Sequence, residues 1–269
     1  MPPVITFLSD YGTDDEFVGV VHGVIAKLCP EARVIDVTHG IPRQAVDLGA
    51  RALVRALPYM PAGVHLAVVD PEVGARRRAV ALRVAEEGRL LVGPDNGLLI
   101  PVAERFGGVA AAVEISSSPW RLEPVSATFH GRDVFAPVAA RLAAGERLEE
   151  AGTPLEPAEL ARIELSQAQR DPEGNLIAHV VGIDGYGNSS LDAGHQHVLD
   201  IGWQIAARVR VIVGDRVHEA VLARTFADVN AGELLLYEDA SGSLTLAVNA
   251  GSAAQVLGLR LGAPVSLAP

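Results

Sequence analysis

An N-terminal α/β domain with a central sheet flanked by helices, followed by a smaller all-β domain, is expected from three features of this 269-residue chain. Up to about residue 144, short apolar runs alternate with segments of helical period, the mark of a layered α/β domain. Between 145 and 172 the texture turns charged and Pro-containing, as in GERLEEAGTPLEPAEL, which suits a connection. Beyond it, short apolar strands recur between turn residues, as in a small barrel or sandwich. The expected domains are residues 1–165 and 172–269.

Each element has a local reason. VITFLS (4–9) is apolar enough for a buried strand. Residues 14–28 carry Phe17, Val20, Val21, Val24, Ile25 and Leu28 at i, i+3, i+4 spacing, which predicts an amphipathic helix. ARVIDVTH (32–39) predicts a second strand, 44–57 a second helix ending at Pro58, and VHLAVVD (64–70) a third strand. RAVALRV and RLLVGPD, joined by Glu86-Glu87-Gly88, predict a hairpin. A helix from about Leu98, the strand AAVEIS and a helix over 132–144 complete the first half. In the second half the predicted strands are NLIAHVVGID, HQHVLDIG, AARVRVIV, HEAVLARTF, ELLLYED, LTLAVN and PVSLA.

Composition narrows the function classes. A formal net charge of −11 argues against nucleic acid, which asks for a basic stripe. The single cysteine, Cys29, excludes an internal disulfide and offers no metal-site spacing. MPPVITFLSDYG lacks a basic n-region and meets Asp10 too soon for a signal peptide, and no apolar run approaches the ~20 residues of a membrane helix. A cytoplasmic protein without membrane partners is the expectation.

In open α/β sheets, ligands bind beyond the carboxyl ends of the strands. Three predicted strands end there in polar groups: Ser9-Asp10, Asp36 through Thr38-His39, and Asp70. Asp10, before Tyr11-Gly12, also suits a turn, and Asp14 and Asp15 also suit a helix N-terminus. TFHGRDVFAP (128–137) sets His130 on a loop before a helix, where it can face a cleft, with Arg132 and Asp133 following. VVGIDGYGN (180–188) presents Asp184, Tyr186 and Asn188 on one Gly-rich turn, although such composition also describes a plain turn.

Together these stretches carry a resemblance. LSDYGTDD (8–15), IDVTHGIP (35–42), VVDPEVGARR (68–77), VGPDNGLL (92–99), TFHGRDVFAPVAA (128–140), IDGYGN (183–188) and NAGSAAQVLGL (249–259) resemble, in chain order, the S-adenosyl-L-methionine hydroxide adenosyltransferases, relatives of the adenosyl fluoride and chloride synthases. The resemblance implies a barrel-like C-terminal domain, a homotrimer with ligand at subunit interfaces, and hydrolysis of S-adenosylmethionine to adenosine and methionine. S-Adenosylmethionine is then a substrate, and neither a cofactor nor a metal is implied. The family's Asp-Arg-His group maps onto Asp70, Arg77 and His130, with Arg76 the alternative among three adjacent arginines. Asp10 maps onto the ribose-binding aspartate, and Asp14 falls near contacts to the methionine part. Asp184 would hold the methionine amino group, Asn188 the adenine edge, and Ser252 the carboxylate or base.

The halogenating relatives place a tyrosine where this chain has Asp70, and a tryptophan near its Gln44. A carboxylate there would repel halide, so both differences favour hydroxide as nucleophile. The chain also departs from its family: Glu72 stands where glycine is usual, and SSLDAG follows IDGYGN in place of a Thr-Asn-Ile stretch. Two rivals remain open to the sequence. One is a metal-dependent phosphoester hydrolase using Asp10, Asp14, Asp36, His39 and His130. The other is a non-catalytic S-adenosylmethionine sensor.

Overall fold

The computed structural model describes residues 2–269, in two compact units, one ending at Glu164 and the other spanning Leu165–Pro269. The first holds β1 (Val4–Ser9), α1 (Phe17–Leu28), β2 (Arg33–Thr38), α2 (Val46–Ala56), β3 (Val64–Val68), β4 (Ala79–Val84), β5 (Leu90–Pro94), α3 (Ile100–Arg105), β6 (Val109–Glu114), α4 (Ala136–Ala143) and β7 (Thr153–Leu155). The expected α/β architecture is present: one sheet in the order β2-β1-β3-β5-β4-β6-β7, flanked by helices. β2, β1, β3 and β5 run parallel, while β4, β6 and β7 are antiparallel additions.

Burial follows position in the sheet. The central strands β1 and β3 are buried along nearly their whole length, as parallel strands covered on both faces must be, and edge strand β2 is half exposed. Ile5, Phe7, Val64, Leu66 and Val68 share one core with Val21 and Ile25 of α1 and Val138 and Leu142 of α4. The parallel register sets Phe7 opposite both Asp36 and Leu66, and Ser9 opposite Val68. The carboxyl ends of β1, β2 and β3 therefore meet at one edge, and Asp10, His39 and Asp70 follow them there.

One buried histidine in this sheet is structural. His65 of β3 lies 2.8 Å from Thr6 Oγ1 through Nδ1, and Arg89 donates to its Nε2 at 3.1 Å. Burial, with the Arg89 charge beside it, pushes this imidazole down to about 3. The unfolded chain takes up a proton near pH ~6.5 that the folded chain refuses until far lower pH. Stability from neutral His65 is thus complete above that value and declines as pH falls from there toward 3. Urea midpoints at pH 7 and pH 4.5 should differ more in the wild type than in His65→Gln.

The second unit holds β8 (Gln169–Arg170), β9 (Leu176–Ile183), β10 (Ser189–Gly194), α5 (His195–Ile201), β11 (Arg208–Val213), β12 (Arg216–Leu222), β13 (Leu234–Glu238), β14 (Ser243–Val248), α6 (Ala253–Leu257) and β15 (Pro264–Ala268). It is a closed β-barrel. β9 pairs with β15 along its first half and β10 along its second, so the order β10-β14-β13-β12-β11-β15-β9 returns on itself. Leu176, Ala178, Val180, Val209, Val211, Leu244, Leu246, Val265 and Leu267 fill the interior.

Two local expectations are corrected here. HQHVLDIG is not a strand: His195–Ile201 is helical, and Gly202, at φ +81°, ends it in the left-handed conformation common at helix C-termini. The barrel strand at that point is the preceding SSLDAG, whose Leu191 and Ala193 face the core. The charged connection after residue 145 also contributes, because Thr153–Leu155 pairs with β6 as β7.

Candidate active site

The loop after β3 explains why a carboxylate ends a buried strand. Gly74 stands at φ +78°, and a Cβ on it would lie 2.2 Å from the Ala127 carbonyl oxygen. Only glycine lets loop 69–78 close against the segment leading to His130. The loop then returns so that Arg77, of the three adjacent arginines, turns to Asp70, while Arg76 is exposed and Arg78 pairs with Asp95 at 2.7 Å. Arg77 Nε donates to the two Asp70 carboxylate oxygens at 2.9 and 3.1 Å, and its Nη2 donates to Asp70 Oδ2 as well. Both side chains are buried, at 3% exposed for Arg77 and 6% for Asp70.

The same Nη2 lies 2.9 Å from His130 Nδ1. A guanidinium has only donors, so Nδ1 must accept, and a neutral His130 carries its proton on Nε2. Burial, with the Arg77 charge next, lowers the imidazole pKa against the opposing pull of Asp70 and Asp133. The element holding His130 departs from expectation. A π-helical turn, Gly131–Phe135, precedes α4 and swings the Phe135 ring under Arg77, 5.2 Å from ring centroid to Cζ. Asp133 is occupied structurally: it accepts from Arg132 Nε at 2.6 Å and from Ser126 N at 2.8 Å.

Asp10 completes this edge. Its Oδ2 accepts from the Gln44 backbone N at 2.9 Å, and burial raises its pKa although that hydrogen bond opposes the rise. Asp10, Tyr11, Val68, Asp70, Val73, Thr128, His130 and Gly131 line a cavity of about 50 Å³, room enough for water. Asp14 is not among these residues and lies on the exposed approach to α1. Tyr11, which the sequence pattern does not mark as a site residue, also lines the cavity, and burial with the charges of Asp10 and Asp70 pushes its phenol pKa up.

The second unit carries its own concavity of about 610 Å³, lined by Asp184, Tyr186, Asn188, Phe226, Val248, Ala250 and Gly251. Asp184 first organises its turn: Oδ1 accepts from the backbone N of Tyr186 and of Asn188, both at 2.9 Å, and Oδ2 from Asn188 Nδ2 at 2.8 Å. Ser252 caps α6, accepting from Gln255 N at 3.2 Å, and touches the turn where Gly187 (φ +83°) leaves room for its hydroxyl. Tyr186 is 82% exposed at the rim. Phe226, expected within the strand HEAVLARTF, and Ala250, inside the motif NAGSAAQVLGL, are apolar and are not marked as site residues by the sequence, because neither side chain carries chemistry of its own.

Residues 5–152 match the SAM hydroxide adenosyltransferase N-terminal domain, and residues 178–266 the C-terminal domain of the same family. The chain belongs to the SAM hydroxide adenosyltransferase family. Within that family's range, an (R)-S-adenosyl-L-methionine hydrolase of Salinispora tropica is 48% identical over 260 residues, spanning 97% of this chain and 95% of the relative. A fluorinase of Actinopolyspora mzabensis is 32% identical over 291 residues, spanning 98% and 96%. The crystal structure of an uncharacterized conserved protein from Thermotoga maritima superposes with a TM-score of 0.90 at 36% identity, covering 98% of this chain and 100% of that one. The rival metal-dependent phosphoester hydrolase is not favoured by this membership. Nor is its residue set assembled: among the described residues, Asp36 and His39 group with His22, without Asp10, Asp14 or His130. No helix among the described residues is long and apolar enough to cross a membrane.

Proposed function

We propose that this chain hydrolyses S-adenosyl-L-methionine, water attacking the ribose 5′ carbon to give adenosine and L-methionine. The observation that carries the reading is the Asp70–Arg77–His130 group, its carboxylate and guanidinium buried and its imidazole half-buried, on a water-sized cavity at the end of β3. A bond forms between water oxygen and C5′ while the C5′–S bond breaks, its electron pair returning to sulfur. The leaving group is a neutral thioether, so no acid is required for it. What the reaction lacks is a nucleophile, and a positioned carboxylate supplies one by accepting the water proton as attack proceeds. Because Arg77 occupies His130 Nδ1, the imidazole presents an N–H and the carboxylate of Asp70 is the base. Arg77 holds that carboxylate in one orientation, and fixing water in line with the C–S bond contributes several kcal/mol, on the order of 7–11 in favourable cases.

Asp10 suits a ribose hydroxyl. Asp184, Asn188 and Ser252 suit the amino group, adenine edge and carboxylate or base, and Asp14 an outer contact to the methionine part. Asp184→Asn removes the charge and keeps an oxygen for the two backbone N–H groups of the turn, giving up the hydrogen bond from Asn188 Nδ2. It should raise KM about tenfold with little change in kcat, the size expected for one charge-assisted hydrogen bond. The hydrolase relatives' names carry an R descriptor, and we extend that stereochemical preference to this chain: a mixture of sulfonium epimers should be depleted of one epimer first. A homotrimer with ligand at the subunit interfaces should appear in light scattering as three times the 28.2 kDa chain mass.

The deciding assay is incubation of the purified protein with S-adenosylmethionine and a chelator in chloride-free buffer, with products resolved by liquid chromatography. Adenosine and methionine formed in equal amounts support the reading. Substrate recovered intact and still bound would replace it with a sensor.

A further inference from the structure

At the same edge of the sheet as the candidate active site, the end of β2 carries polar side chains that the proposed hydrolysis leaves unused. His22 from the middle of α1, Asp36 of β2 and His39 just past that strand each offer one ligand atom, all within 4.8 Å of one another. His22 Nε2 is 2.8 Å and His39 Nε2 3.1 Å from the same Asp36 oxygen. Three donors at the edge spacing of a tetrahedron with ~2.0 Å bonds would lie about 3.3 Å apart, so two of the three edges are close to that already.

His39 supplies the independent sign of a missing partner. Its side chain is 5% exposed, and its Nε2 is buried with no well-directed hydrogen bond, the Asp36 oxygen at 3.1 Å lying off the hydrogen-bond direction. Its other nitrogen, Nδ1, sits 2.8 Å from Ser9 Oγ. In the tautomer that donates Nδ1–H to Ser9, the Nε2 lone pair faces the Asp36 carboxylate, the arrangement in which a cation between them would be held by both. Metal-bound histidines are held in just this way, the distal ring nitrogen fixed by a neighbouring oxygen. Phe7 backs both imidazoles, its ring centroid 4.6 Å from that of His39 and 6.2 Å from that of His22. The opposite side is open, with Asp36 43% and His22 35% exposed, which provides an entry path and a place for water as fourth ligand.

We propose that His22, Asp36 and His39 bind one divalent transition-metal ion, with zinc(II) the best match. Two imidazoles and one carboxylate suit zinc and its borderline neighbours, whereas calcium and magnesium ask for oxygen donors throughout. The ion is a clamp rather than a reagent. It ties α1 to β2 and fixes His39, whose carbonyl oxygen accepts from Gly12 N at 2.8 Å and whose ring meets Ser9. The turn so held, residues 9–12, carries Asp10 and Tyr11. The clamp does not depend on the reaction assigned to Asp70.

The test uses tag-free, metal-stripped protein titrated with zinc(II) alone against a chromophoric chelator. One equivalent per chain is expected, with X-ray absorption showing nitrogen and oxygen ligands at ~2.0 Å and an imidazole pattern. His22→Ala and Asp36→Asn, both on the partly exposed side, should each lose that equivalent. Ser9→Ala should weaken binding about ten- to a hundredfold. Binding of less than one equivalent by the wild type overturns the proposal. So does stoichiometric binding that both variants retain, which would place the zinc at an adventitious surface site. If both variants are unstable, cobalt(II) substitution of the wild type decides: intense four-coordinate absorption bands support the site, and weak octahedral bands reject it.

Discussion

Asp70→Ala is expected to slow adenosine formation by about 10²–10⁴-fold, the usual contribution of a positioned proton acceptor. The substitution also strands the Arg77 guanidinium, 3% exposed, without its counter-charge. Breaking a buried pair from one side costs about 3–5 kcal/mol, so a fall in melting temperature should accompany the lost activity. Asp70→Asn separates the two effects. It retains an oxygen for Arg77 and cannot accept the water proton, and should therefore be nearly as inactive while remaining better folded. Nucleoside binding, measured by calorimetry with adenosine, should persist in Asp70→Asn. Wild-type turnover in either variant would remove the carboxylate from the chemistry.

Gly74→Ala should be damaging out of proportion to one methyl group. At φ +78° the backbone cost for a residue with a Cβ is about 1–2 kcal/mol, before any contact is counted. The added carbon would also lie 2.2 Å from a backbone oxygen, that of Ala127, which cannot rotate away as a side chain could. Loop 69–78 must shift, and Arg77 moves with it off His130. We expect a lower melting temperature and a kcat reduced by at least tenfold, since misplacement of about 1 Å can cost a hundredfold. Unchanged kcat in a protein shown to be folded would mean that the loop does not set the Arg77–His130 contact.

The α/β half was legible because its central strands are buried on both faces and write continuous apolar runs, as in VITFLS and VHLAVVD. The barrel was harder. HQHVLDIG has valine, leucine and isoleucine enough for a strand, but Gly202 ends it as a helix, and the less apolar SSLDAG holds the strand position because the barrel needs closing there. Asp10, Asp70 and His130 could be placed near strand ends or loops from pattern alone. That Arg77 rather than Arg76 meets Asp70 could not, because it depends on how one glycine turns the loop. Asp184 and Asn188 were visible as a turn; that the turn borders a concavity with Phe226 and Ala250 depends on barrel closure, which brings together segments far apart in sequence.

The guanidinium between Asp70 and His130 has a consequence for how the site resets. Arginine stays charged at any pH the protein survives, so it can touch both neighbours and still relay no proton between them. Asp70 and His130 are joined mechanically and insulated protonically. On the proposed reaction, the proton that Asp70 takes from water has no route to the imidazole through Arg77. The path left to it is water in the cavity that Asp70 and His130 both line, which ties recovery of the site to solvent access once product has cleared.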